Sequence, residues 1–119
     1  MVKSLKELVA NLKLVNLQGS FMHGIDLRSA DMREADICGS DMSLVNLIGA
    51  NLQGALLRGA YLYKADLRSA NLLGADLSRA NIINAKFTIE LNNAINLHEA
   101  CYDPSQFLFL ALNYSFLHG

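Results

Sequence analysis

The side chains best suited to nucleophilic or metal chemistry in this chain are His23, His98, His118, Cys38 and Cys101. The histidines are dispersed, with no partnered acid, nucleophile or metal-ligand pattern around them, so they do not form the constellation an enzyme needs. The two cysteines lack C-x-x-C spacing and are too few for a disulfide framework. Two free thiols in a reducing compartment is the simplest reading. The remaining candidate is a run of carboxylates, Asp26, Asp31, Asp36 and Asp41, at intervals of five. Whether they meet depends on the elements that carry them.

Those elements are set by a repeat of period five, which fits neither a helix at 3.6 nor a strand at 2. A large apolar residue recurs at Leu12, Leu17, Met22, Leu27, Met32, Ile37, Met42 and Leu47 and continues through Phe87. Two positions before each stands a small or β-branched residue, such as Ala30, Val45 or Ala60, and between the two lies mostly Asp or Asn. Three extended residues followed by a corner satisfy this pattern. Alternation along the extended part sends the small and large apolar sites inward and the Asp or Asn outward. The last position of the unit holds seven glycines, from Gly19 to Gly74, as a corner that needs positive φ would favour. Successive units then occupy different faces, so the four carboxylates form a belt and not a cluster.

Units such as Ala50-Asn51-Leu52-Gln53-Gly54 and Ala75-Asp76-Leu77-Ser78-Arg79 match an A-[D/N]-L-x-x consensus. By these residues the chain resembles the pentapeptide-repeat family, over Ala10 to about Pro104. The resemblance implies an all-β fold, a right-handed quadrilateral parallel β-helix with four units per coil and about five coils. The family's abundance in filamentous cyanobacteria points to such a source. The expected organisation is an N-terminal cap over 1–9, the β-helix over 10–104 and a C-terminal helical cap or dimerisation segment over 105–119.

The four-sided arrangement puts Phe21, His23, Leu44, Tyr61, Tyr63 and Ile83 on one face at outward positions. They are the candidate partner surface, the bland alternative being scattered apolar residues covered by the terminal segments. Cys38 and His98 would share a face three coils apart, ~14 Å at strand spacing, too far for one zinc ion. Asp26-Leu27-Arg28 and Asp66-Leu67-Arg68 fall on one face and suit local Asp–Arg pairing. Asn92 occupies a large apolar site and marks a local slip, either a bulge with Leu91 turned inward or a landmark for a partner.

Both ends carry signals for covering an open coil. Ser4-Leu5-Lys6-Glu7 is a capping-box pattern, with Leu5, Leu8 and Val9 on one apolar face. Asp103, Pro104 and Gln106 read as N-cap, N1 and N3 of a helix running to Leu117. Its residues Phe107, Leu108, Phe109, Leu110, Leu112, Tyr114, Phe116 and Leu117 make it apolar nearly all round and uncharged, which predicts burial on all sides. A homodimer through this segment is the expectation, against a monomer whose aromatic residues fold back over the last coil.

The formal net charge of −1 supplies no basic footprint for direct nucleic-acid binding. No uncharged apolar stretch approaches the ~20 residues of a membrane span. Lys6 and Glu7 stand where a secretory signal would place its apolar run, so a cytoplasmic protein is expected. No cofactor or metal is implied. The function expected is a non-catalytic structural or protein-interaction module. The alternative, by resemblance alone, is a DNA mimic that binds or inhibits a type II topoisomerase.

Overall fold

The structure, a computed structural model, describes residues 11–88, 99–103 and 106. Over 11–88 the chain pairs with itself every twenty residues through parallel bridges, Asn11 with Asp31, Asn16 with Asp36, Phe21 with Asp41, Asp26 with Asn46, and so on. Twenty residues per coil and five per unit give four faces, making a parallel β-helix. We number the faces by their bridge residues: face 1 (Asn11, Asp31, Asn51, Asn71), face 2 (Asn16, Asp36, Leu56, Asp76), face 3 (Phe21, Asp41, Tyr61, Asn81, Cys101) and face 4 (Asp26, Asn46, Asp66, Lys86). The Asp26–Asp41 run places one carboxylate on each face.

One unit shows why the pattern folds this way. In Ala50–Gly54 the Asn51 N–H donates to the Ala30 carbonyl at 2.9 Å in the coil before, while the Leu52 and Gly54 N–H groups donate to Asn71 and Leu73 in the coil after, at 2.8 and 2.9 Å. The Ala50 N–H closes the preceding corner on the Leu47 carbonyl at 3.0 Å. Only the Gln53 N–H is left without a ladder partner, and the Asn51 Oδ1 accepts it at 3.1 Å. All five donors are therefore satisfied inside a structure whose strands are one paired residue wide.

The same Asx bond recurs from Arg28 to Asp26, Cys38 to Asp36, Ser43 to Asp41, Leu73 to Asn71 and Ile83 to Asn81. It explains the preference for Asp and Asn at the outward site. A short side chain carrying an acceptor oxygen reaches the amide two residues on, which a longer Glu or an apolar residue does not do.

Each corner is closed by an N–H from the small residue to the large residue's carbonyl three back, with positive φ at the residue before the small site, the geometry of a type II turn. Seven of these positions are Gly; the others are Leu14, Ser29, Glu34, Leu44, Lys64, Ser69, Arg79 and Asn84, at φ of 57 to 63°. The ladder thus holds non-glycine residues in a left-handed conformation that costs each roughly 1–2 kcal/mol.

The interior is lined by the two inward sites. Large residues from Leu27 to Ile82 and alanines from Ala30 to Ala80 are buried almost without exception, with Leu12, Leu17, Phe87 and Tyr102 partly buried against the ends. Ser40 occupies a small inward site, where its hydroxyl donates to the Ile37 carbonyl at 2.9 Å and so removes the cost of burying it.

The slip expected at Asn92 and the segments 1–9 and 107–119 lie outside the described residues. Among the described residues the twenty-residue register is kept beyond Asn92, with Asn81 bridged to Cys101. One bond departs from the pattern: Arg79 N–H reaches Glu99, twenty residues on, where corner amides from Leu14 to Lys64 use an offset of nineteen. At the end of this coil Asp103 and Gln106 exchange hydrogen bonds. The Gln106 N–H donates to the Asp103 carboxylate at 3.0 Å and the Asp103 N–H to the Gln106 Oε1 at 2.9 Å, a capping box.

Candidate functional site: the aromatic face

Face 3 differs from the others in what its ladder presents outward. Its bridge column reads Phe21, Asp41, Tyr61, Asn81, and the column two residues on reads His23, Ser43, Tyr63, Ile83. Leu44 and Lys64 follow at the next corner. Phe21 is 91% exposed, Tyr61 53% and Leu44 49%. Tyr63 and His23 are also exposed, whereas Ile83 is half-buried and offers less surface than its outward position predicts. The six residues share one face, spread over the coils that carry them.

Polar groups are interleaved with the rings. The Asp41 carboxylate accepts the Ser43 N–H at 3.0 Å. That amide, then the Ser43 hydroxyl and the charge of nearby His23, holds its carboxyl below the usual range. His23 Nδ1 lies 4.0 Å from Asp41 Oδ2, and the Lys64 ammonium sits 5.4 Å from the centre of the Tyr63 ring, within cation–π range. Beside the bridge column runs an edge of Gly19 and Gly39. Together with Ser20, Phe21, Asp41, Ser43 and Tyr61 it lines a shallow open groove. At Gly19, Gly39 and Gly59 an added Cβ would meet nothing within 4 Å, so this edge is smooth and unobstructed.

The other faces are occupied by local pairing. Arg28 is bidentate on Asp26, at 2.9 and 2.7 Å, and Arg33 and Arg68 engage Asp31 and Asp66 in the same way. The Arg33 guanidinium lowers the Asp31 carboxyl to about 2. On face 2, burial and then the Asp36 carboxylate push the Cys38 thiol up, which disfavours the nucleophilic thiolate. Cys38 and Cys101 are free and belong to different faces. Among the described residues no three His, Cys, Asp or Glu side chains are grouped to hold a metal ion, and no helix is long and apolar enough to cross a membrane.

Sequence patterning identified the exposed rings but not the role of the outward Asp and Asn, whose signal was the amide two residues on. The eight C-terminal candidates, Phe107 to Leu117, lie outside the described residues.

Comparison with known proteins places this architecture. Eight copies of the pentapeptide repeat match residues 10–43, 46–82 and 60–88. Among solved structures the chain is similar to the pentapeptide repeat protein Rfr23 from the cyanobacterium Cyanothece 51142, at 30% identity and a TM-score of 0.64, covering 79% of this chain and 60% of that one. The chain thus spans 60% of the length of that relative. It is also similar to alr5209, a pentapeptide repeat protein from Nostoc PCC 7120, at 35% identity and a TM-score of 0.54, covering 78% of this chain and 80% of that one. A pentapeptide repeat protein from the Arabidopsis thaliana thylakoid lumen is similar at 22% identity and a TM-score of 0.47, over 94% of this chain and 83% of that one. No curated protein matches. Pentapeptide-repeat proteins form right-handed β-helices. With the repeat matched over more than half its length and a coil of four five-residue units, this chain belongs to the pentapeptide-repeat family.

Proposed function

We propose that the chain is a non-catalytic protein-interaction module whose docking surface is face 3. The observation that carries this reading is the exposure of Phe21 and Tyr61 on one face, at bridge positions that most other units fill with Asp or Asn, Leu56, Lys86 and Cys101 being the remaining exceptions. An Asx acceptor contributes to the fold at these sites, so a ring there forgoes that hydrogen bond for apolar surface in water. Aromatic residues are enriched in interfaces because they bury large area at low entropy cost. Two free thiols on separate faces accord with the reducing, cytoplasmic setting expected. The test is affinity capture from the source organism with wild-type protein and the Phe21→Ala, Tyr61→Ala and Tyr63→Ala variants. A partner retained equally by all four proteins refutes the assignment.

A second candidate for a partner contact is the sequence Phe107–Leu117, which has no charged residue and which, read as a helix, would be apolar nearly all round and so favours a homodimer. Light scattering at micromolar concentration should give the dimer mass. A monomer refutes it.

The DNA-mimic alternative is weakened by Arg28, Arg33 and Arg68, each neutralising the carboxylate a mimic would present. A supercoiling assay with a type II topoisomerase should show no inhibition.

A further inference from the structure

We infer that Gln106 ends the β-helix: its backbone leaves the register, and its side-chain amide reaches over the carbonyl a further coil would use, closing the ladder edge on face 4 against a second copy of the chain. The register carries this. In every coil the N–H at the bridge position donates to the small-site carbonyl twenty-one residues earlier, as Asn51 does to Ala30, Lys86 to Ala65 and Cys101 to Ala80. Twenty residues after Lys86 the same position on face 4 is Gln106, whose backbone N–H should therefore reach the Ala85 carbonyl. It turns instead to Asp103, donating to the carboxylate and to the carbonyl, each at 3.0 Å.

The side chain spans the corner left behind, bonding to the Ile82 carbonyl that already accepts the Ala85 N–H and reaching the Ala85 carbonyl at longer range. Gln106 Nε2 donates to the Ile82 carbonyl at 2.8 Å and lies 3.4 Å from that of Ala85, while its Oε1 holds the Asp103 N–H. One residue thus leaves the ladder with its backbone and stays on it with its amide. Glutamine is the side chain this needs, because it must accept from Asp103 and donate to the coil at once. Glutamate would complete the capping box but place an oxygen against two carbonyls. An uncovered ladder end is a template for pairing with another chain, so this closure limits end-to-end association.

Hydrogen exchange and light scattering on the full chain test this with Gln106→Glu, which keeps the capping acceptor, and Gln106→Met, which lacks both functions without adding charge. In both variants the amides of 99–106 should exchange roughly tenfold faster while Ala30–Ala75 stay protected. Mass should also grow with concentration beyond the wild-type species. Wild-type protection in either variant, or equal acceleration throughout the coil, overturns the role of Gln106 as terminator. Faster local exchange without growth in mass overturns closure against a second copy.

Discussion

Asn51 Oδ1 accepts the Gln53 N–H at 3.1 Å, satisfying the one backbone donor of its unit that neither the neighbouring coils nor the corner matches. Asn51→Ala should therefore cost about 1 kcal/mol, the worth of one net hydrogen bond, while Asn51→Asp should cost less because it keeps the acceptor. Thermal unfolding of the two variants checks this. Equal losses would show that the Asx bond contributes nothing.

The corners predict effects of opposite sign. Lys64 holds φ of 58°, so Lys64→Gly should be neutral to stabilising by about 1 kcal/mol, after the greater chain entropy of glycine is set against relief of strain. Gly39→Ala meets open space and should cost about 1 kcal/mol through conformation alone. Gly54→Ala should cost more, because its Cβ would stand 3.3 Å from the Glu34 Cγ. Denaturant midpoints should rank the three in that order.

Leu67 and Ala65 are the large and small inward sites of one unit, and both are buried. Leu67→Ala should destabilise by roughly 2–5 kcal/mol through a cavity and Ala65→Leu by about 1–3 through overpacking. Both should lower the melting temperature. Wild-type melting in both would refute the interior packing.

The Asp31 carboxyl, at about 2 beside Arg33, is below its unfolded value near 3.9. A depressed folded-state pKa contributes stability that is fully present above the unfolded pKa and is lost as pH falls through the folded one. Asp36, Asp41 and Asp66 are lowered in the same direction. Stability should therefore be flat at neutral pH and fall between about pH 4 and 2. Asp31→Asn should make that fall shallower in an acid titration followed by circular dichroism.

Most of the fold was legible because one rule is repeated many times. Small and large inward residues alternate with an outward one, and burial of Ala30 to Ala80 follows from that alone. The number of faces was not legible from composition or period, since any closed polygon keeps the same inside and outside; the Asn11–Asp31 bridge and those after it make it four. Nor did the glycines reveal how many corners need positive φ, because the ladder imposes it on Leu44 and Lys64 as well. Gln106 was readable as part of a helix cap, but its second role depends on a carbonyl of Ile82, remote in sequence. The aromatic face lay between these cases: the rings stand out by type, and only the twenty-residue coil aligns Phe21 with Tyr61.

That coil length also governs how such a molecule tolerates insertion and deletion. Removing one five-residue unit leaves every inward site filled, yet turns all that follows by a quarter of a revolution. Deleting Ala50–Gly54 would keep a sound core while carrying Tyr61 and Tyr63 round to the side that Leu56 now occupies. Gain or loss of twenty residues has no such effect. Chain length can therefore change in steps of five without unfolding the protein, but only in steps of twenty without scrambling its surface.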